Sequence, residues 1–481
     1  MNMNKWVLFG ILALATVLRF FSLSSVPPSP SLDEVSIGYN AYSILQTGKD
    51  EYGTAFPILL RAYDDWRPAL YVYLVVPFVK LLGLTVSAVR LPSVIVSVLT
   101  VFLTYELSKK LLKKESIALF AALLLAISPW HIYISRLGHE VNLGLFAGVA
   151  SSYFFIQKKF FLSSLLFSLA LYSYQSQKIV IPVVFIGLAV LYRRKIILPA
   201  IIILLLLIPL IKTSFAEGAF IRFQATRASK EFFWPNYISH FDPRWLFTGT
   251  ERENHKVPNL GLLYWWELPL ILMGLFKLNK QNRFFILLWI FASPLPAAIT
   301  TQAPHAMRSY TMLPYLQIIG AVGFVSFWET FKKYRVFEVL IIGLSIFYFG
   351  KNYYGVFPKT QSDSFQYALT QSINYVTSHQ QNYERVVFSN KDNLYQSYMF
   401  FLFYSRYDPH QYLLSGGTKS GGFAETHTLG KFEFRPIDWK KDFSLKNTLF
   451  IGNPSDFPPD VPTLDQFSYL NGAVGVVAVT P

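Results

Sequence analysis

Residues 29–48 read SPSLDEVSIGYNAYSILQTG. Directly before them, residues 6–23 form an apolar stretch long enough to enter a bilayer. Asp33 and Glu34 then stand side by side at the head of an amphipathic run. A chain that follows its first membrane span with paired carboxylates presents them where the outer leaflet meets water.

The rest of the chain agrees with a membrane setting. Of 481 residues, 53% are hydrophobic and 15% charged, against about 25% charged in ordinary soluble domains. Phe (44) and Tyr (29) are abundant, which suits buried and interfacial helices. The net charge of +15 is spread over short loops, the distribution expected of cytoplasmic turns between spans rather than of a nucleic-acid surface. The absence of cysteine excludes disulfides and thiolate metal sites. The N-terminus, with Lys5 before its apolar run, has the look of a signal peptide, but no small-residue cleavage pattern follows, so it reads as an uncleaved first span.

Candidate spans lie at roughly 6–23, 68–84, 88–108, 116–134, 140–157, 160–176, 179–192, 196–211, 262–277, 283–300, 309–330 and 336–350, about twelve by the ~20-residue criterion. Basic loops at Lys109–Lys114, Lys158–Lys159, Arg193–Lys195, Lys277–Arg283 and Lys332–Arg335 are separated by two candidates each, so all five can face the cytoplasm. The basic N-terminus belongs there too, yet three candidates precede Lys109. One of them therefore does not cross. The stretch 68–84, PALYVYLVVPFVKLLGL, is short, begins at Pro68 and carries Pro77 and Lys80. It is assigned to the outer interface, lying along the membrane. About eleven spans remain. Residues 1–350 form the membrane domain, with external loops 24–87 and 212–261, and residues 351–481 a soluble external domain.

On this topology the unusual polar residues fall on one side. Asp33, Glu34, Asp64, Asp65 and Arg67 lie in the first outer loop; Arg90, Arg136, His139 and Glu140 lie at outer span ends. Lys178 lies in the turn YSYQSQK, His255 in ERENHKVPN, and His305 and Arg308 in APHAMRSY. Cations suit the phosphate of a lipid ester, and a nearby carboxylate can take the proton of an incoming hydroxyl. Together they describe transfer of a group from a lipid phosphate to an alcohol, with fixed cations stabilising the leaving phosphate. Plainer readings stand beside this one. Asp33 and Glu34 equally fit a helix N-terminus, where acids are favourable. Asp64–Asp65 fits a solvated turn, and Arg90 or Arg136 alone fits a snorkelling anchor.

These residues resemble the membrane glycosyltransferases of the GT-C fold, in the group of the protein O-mannosyltransferases and aminoarabinose transferases. The features that carry the resemblance are SLDEVSIGYNAYSILQTGKDEYG, RLPSVIVSVLTVFLTYELSKKL, ALLLAISPWHIYISRLGHEVN, YSYQSQKIVIP, NHKVPNLGLLYWWELPLILMGL and APHAMRSYTMLPYLQIIGA. Their order and spacing cover most of residues 1–350. The resemblance implies a polyprenyl-phosphate sugar donor and an inverting, single-displacement transfer outside the cytoplasm. It implies that Asp33 is the catalytic base or lies close to it, with Glu34 beside it, and that two interfacial helices lie at about 34–47 and 68–84. It implies that Arg67, Lys178, His305 and Arg308 bind the donor phosphate. The chain departs from some relatives in having Glu140 and Asn142, not Asp, in the second outer loop. Its 212–261 loop is also too short for the large sugar-binding insert of eukaryotic protein mannosyltransferases.

In residues 351–481, ERVVFSN, TLFIGNP and VGVVAVTP read as short strands. With helical patterns at about 363–379 and 392–404 they form a small α/β domain. SGGTKSGG, 415–422, resembles a phosphate loop but lacks the strand-to-helix context, and reads as a flexible loop.

The functional expectation is an inverting glycosyltransferase of the cell membrane, multi-pass, moving a sugar from polyprenyl phosphate to a hydroxyl of a lipid, glycan or protein acceptor, with no nucleic-acid partner. The alternatives are a non-enzymatic carrier of lipid-linked glycan, or a scaffold that has lost catalysis. Glu140, His139 and His255 are candidates for acceptor contacts or, with Asp33 and Glu34, for a divalent cation, although no tight ligand spacing marks a metal site.

Overall fold

The computed structural model describes residues 3–63, 65–216, 226–419 and 426–481, without the side chains of residues 191, 193 and 194. Asp64, part of the 212–261 loop, the last residues of SGGTKSGG and the side chains of the basic pair at 193–194 lie outside the described residues.

Every candidate span falls on a helix. Helix α1 is Met3–Phe20, α2 Leu32–Thr47, α3 Leu70–Leu82, α4 Val86–Leu112 and α5 Glu115–Ile127. Next come α6 Pro129–Ser135, α7 Val141–Ile156, α8 Phe160–Leu171, α9 Gln177–Tyr192 and α10 Ile197–Ala216. Later helices occupy Glu267–Lys277, Lys280–Ala292, Tyr315–Thr330 and Arg335–Gly350. Among the described residues, five helices are long and apolar enough to cross a membrane alone, or six if α5 and α6, bent by 57°, form one span. The reading of eleven spans therefore includes several helices shorter than that length, such as α7 and α8. Helix α3, at 13 residues, rises about 20 Å, short of the ~30 Å hydrocarbon core.

The chain divides into two compact units. One comprises Met1–Phe21 with Ser93–Tyr353, the other Ser22–Pro92 with Tyr354–Pro481. The first outer loop thus joins the C-terminal residues in one unit, whereas the sequence places a boundary at residue 350 and the loop with the membrane domain.

The first unit is helical. Its helices at 267–277 and 315–330 meet through backbone: a Cβ on Gly274 would lie 2.0 Å from the Ile319 carbonyl oxygen, and one on Gly323 1.9 Å from that of Leu270. Small residues at such crossings let helices approach where lipid supplies no hydrophobic drive. Helix α10 instead exposes Ile201, Leu204, Leu205 and Ile208, the face expected toward acyl chains.

The second unit is built on a six-stranded sheet in the order β4-β5-β3-β6-β8-β7. The three strands legible as apolar runs are β3 (Arg385–Phe388), β6 (Thr448–Gly452) and β8 (Val474–Val479). They hold the middle, β3 parallel to β6 and β6 antiparallel to β8. β4 (His427–Leu429), β5 (Phe432–Phe434) and β7 (Thr463–Ser468) complete it. Val387, Phe450, Val477 and Val479 pack with Ile437 and Phe457 in one core cluster. Helices at Tyr367–His379 and Ser397–Tyr404 match the helical patterns. In the first-loop half, α2 begins at Ser31 with a capping box to Glu34 and ends at Gly48 in the left-handed conformation. A hairpin of β1 (Leu59–Ala62) and β2 (Asp65–Pro68) follows, with Arg67 opposite Leu60.

Candidate active site

The two acids of the opening motif lie on the first turn of α2 and have different fates. Glu34 is the acidic half of the capping box: its Oε2 accepts from the Ser31 backbone N–H at 2.8 Å. Its other oxygen accepts from Arg90 Nε at 2.6 Å, and both side chains are 0% exposed. Arg90 also donates to the carbonyls of Leu23, Pro27 and Ser29 at 2.8–3.1 Å. Arg90 is therefore a buried tie that gathers residues 23–34, not a surface anchor. Arg136, in the other unit, behaves alike: it is fully buried and donates to the carbonyls of Leu18 and Arg19 and to the Tyr353 hydroxyl.

Asp33 faces outward. Its carboxylate is 48% exposed and pairs at 3.0 Å with Arg67 Nη1, whose side chain is 6% exposed. Arg67 Nη2 donates to Ser36 Oγ at 2.7 Å, one helical turn on. The guanidinium, carried on β2, thus spans two residues of the same α2 face and fixes the carboxylate in place. Tyr63 closes the back of this corner by donating to the Leu32 carbonyl at 3.0 Å.

A third carboxylate of this unit, Glu51, escaped the sequence reading because nothing in KDEYG marks it as buried. Glu51 is 1% exposed. It accepts from Asn40 Nδ2 at 2.9 Å and Thr418 Oγ1 at 2.7 Å, with Tyr398 Oη at 3.4 Å. Asn40 Oδ1 in turn accepts from the Glu51 N–H at 2.9 Å. Burial outweighs these donors and pushes the Glu51 carboxyl up to about 7.

The remaining predicted residues lie in the helical unit. His305 and Arg308 come together in the loop before Tyr310: the Arg308 N–H donates to His305 Nδ1 at 3.4 Å, and Arg308 side-chain nitrogens donate to Thr300 and Gln302. The His255 ring lies 5.1 Å from that of His305. A residue that sequence reading missed, His240, holds this loop. Its Nε2 accepts from the His305 N–H at 3.1 Å, so its proton sits on Nδ1, which donates to the Asn236 carbonyl at 2.8 Å. Burial draws its pKa down to about 4; it is a neutral strut rather than another cation. Nothing in NYISHFD distinguishes such a histidine by spacing.

His139 and Glu140 adjoin in the turn before α7, 3.4 Å apart, with the Tyr174 ring edge-on to His139. Lys178 opens α9, next to Gln177, whose amide packs on Gly144. Among the described residues, no three His, Asp or Glu side chains gather closely enough to hold a metal ion. The structure therefore brings together Asp33 with Arg67, Glu34 with Arg90, His255 and Arg308 with His305, and His139 with Glu140. The first two pairs belong to the unit that carries the sheet, the other residues to the helical unit.

Residues 66–217 match a family described as dolichyl-phosphate-mannose-protein mannosyltransferase. The structure of ArnT from Cupriavidus metallidurans bound to undecaprenyl phosphate superposes with a TM-score of 0.63 at 11% identity, covering 99% of this chain and 98% of that one. This chain has the GT-C glycosyltransferase fold. The same GT-C core relates it to the archaeal oligosaccharyltransferase AglB from Archaeoglobus fulgidus, solved with an inhibitory peptide and a dolichol-phosphate. That match has a TM-score of 0.51 at 12% identity, covering 84% of this chain and 63% of AglB. No curated protein sequence matches. The GT-C fold agrees with the expected multi-pass helical architecture and C-terminal sheet domain, and the family match begins at Trp66, one residue before Arg67.

Proposed function

We propose that this chain is an inverting glycosyltransferase that moves a sugar from a polyprenyl phosphate to an acceptor hydroxyl at the outer face of the cell membrane. The observation that carries the reading is the Asp33–Arg67 pair: a half-exposed carboxylate held by a buried guanidinium at the head of α2. The mechanism follows from these groups. The acceptor O–H gives its proton to the Asp33 carboxylate as its oxygen attacks the anomeric carbon. The bond from that carbon to the phosphate oxygen breaks, and polyprenyl phosphate leaves with the electron pair. Lys178, His305 and Arg308 are assigned to the donor phosphate, where fixed cations favour the charge that grows as the bond breaks. Arg67 positions Asp33 and adds positive charge, and Glu34 acts indirectly, by fixing the N-terminus of α2. His139, Glu140 and His255 are assigned to acceptor contacts. Likeness of fold to ArnT, whose structure holds undecaprenyl phosphate, supports a lipid-linked donor, as does the description of the matched family.

Asp33→Asn is the direct test. Transfer from a polyprenyl-phosphate sugar in proteoliposomes is expected to fall by about 10²–10⁴-fold, with an unchanged melting profile; full activity in this variant defeats the assignment. The membrane orientation has its own test, made simple by the absence of native cysteine. Cysteines introduced at the exposed residues Lys49 and Gln302 are expected to react with an impermeant maleimide from outside intact cells, and one at Lys113 only after permeabilisation.

A further inference from the structure

The unit that carries the C-terminal sheet contains a cavity of about 240 Å³ whose walls include Tyr398, Tyr412, Ser415, Lys419, His427 and Phe434. We infer that it is a carbohydrate site in its own right, a pocket for a single sugar ring bearing an acidic group.

Size comes first. The volume falls below the 300–1,000 Å³ typical of pockets for drug-sized ligands, which suits one ring. The walls are pre-set. The His427 ring stacks on Tyr398 with centroids 3.8 Å apart. Thr418 has a single O–H, donated to Glu51 at 2.7 Å. The 2.7 Å bond between Thr418 and Tyr412 therefore runs from the Tyr412 hydroxyl to Thr418 Oγ1. Tyr398 reaches the same Glu51 oxygen. One buried carboxylate thus anchors both tyrosines, so little ordering remains to be done on binding. Gly417 makes the closure feasible: its φ is +59°, and a Cβ there would sit 2.7 Å from the Glu51 carbonyl oxygen. In the SGGTKSGG stretch, Gly417 is required by this approach and not by a phosphate loop.

Chemistry selects the ligand. Aromatic faces match the C–H faces of a pyranose, and hydroxyls at Ser415, Thr426 and Thr428 match its oxygens. Among the described residues the lining contains Lys419 and His427 and no Asp or Glu, so a carboxylate or phosphate on the sugar gains a charge-assisted hydrogen bond. This site does not depend on the transfer reaction proposed above.

The test is direct binding to the full-length chain in detergent, by saturation-transfer NMR and calorimetry. The probes are methyl glucuronide and glucose 6-phosphate, with methyl glucoside as the neutral control. Saturable binding of either acidic probe, about tenfold tighter than the control, is expected, and the preferred probe tells a uronate from a sugar phosphate. Lys419→Ala should reduce acidic-probe binding to the level of the neutral control, and Lys419→Arg should retain it. Asp33→Asn should bind normally even where transfer is lost, which separates this inference from the catalytic one. Absence of saturable binding, equal binding of the neutral control, indifference to Lys419→Ala, or loss of binding in Asp33→Asn overturns it.

Discussion

Asp33 and Glu34 are adjacent in sequence, begin the same helix and each face an arginine, yet their surroundings share little. The Glu34–Arg90 pair is sealed, with both side chains at 0% exposure and the guanidinium fully engaged by carbonyls of residues 23–29. The Asp33–Arg67 pair has a buried cation and an anion open to its surroundings. An i, i+1 step on a helix turns the side chain by about 100°, enough to send one carboxylate into the core and the other out of it. The sealed pair can only hold the fold, whereas the open pair can meet a substrate.

The contrast is sharpest when one partner is removed. Glu34→Ala leaves Arg90 buried without its counter-charge, and Arg90→Ala orphans Glu34 as well as three carbonyls. Breaking a buried pair in this way costs about 3–5 kcal/mol. Both variants are expected to lose melting temperature and yield in detergent, with activity falling in step with the folded fraction. Near-normal stability in Glu34→Ala would show that the seal is incidental. Replacing Arg90 and Glu34 together by apolar residues should recover part of the loss, because the orphaned charge is then gone.

At the open pair the expected loss is smaller and appears in catalysis. Arg67→Lys keeps the charge but cannot reach Asp33 and Ser36 through two nitrogens of one planar fork. Losing one charge-assisted bond corresponds to about tenfold in kcat/KM, with stability changed little. A loss of stability as large as that of Arg90→Ala would place Arg67 with the sealed pair and remove the distinction.

Much of this arrangement was legible in the sequence, and the gaps have physical reasons. Helices announce themselves as apolar runs, and β3, β6 and β8 do so because central strands are covered on both faces. β7, exposed along most of its length, and the three-residue β4 and β5 form only beside partners that single-chain periodicity does not reveal. The helix N-terminus was readable at Asp33 and Glu34, but which acid turns inward was not, since the deciding group, Arg90, lies 56 residues away. Glu51 and His240 were hidden for the same reason: each is defined by distant partners, Thr418 for one and the His305 backbone for the other.

Glu51 extends the comparison to a carboxylate that is sealed among the neutral donors Asn40, Thr418 and Tyr398, with Arg67 acting on it only through its charge. Its pKa is raised from 4.5 to about 7, chiefly by burial, so the folded state takes up a proton that the unfolded chain releases between those values. A raised carboxyl favours folding fully below the unfolded pKa, and that advantage is lost as pH rises through the folded one. The stability of the chain, followed by tryptophan fluorescence during thermal unfolding, should therefore decline from about pH 4.5 to about pH 7 through this group, by on the order of 3 kcal/mol at most. Glu51→Gln removes the titration while keeping an amide oxygen for Asn40 and Thr418, and should flatten that part of the profile. Glu34→Gln serves as the control at a sealed carboxylate that does have an arginine: it should lower stability at neutral pH without flattening the Glu51 decline. If Glu51→Gln leaves the slope intact, burial is not what governs this carboxyl, and Asp33, Glu34 and Glu51 cannot be ordered by how thoroughly each is enclosed.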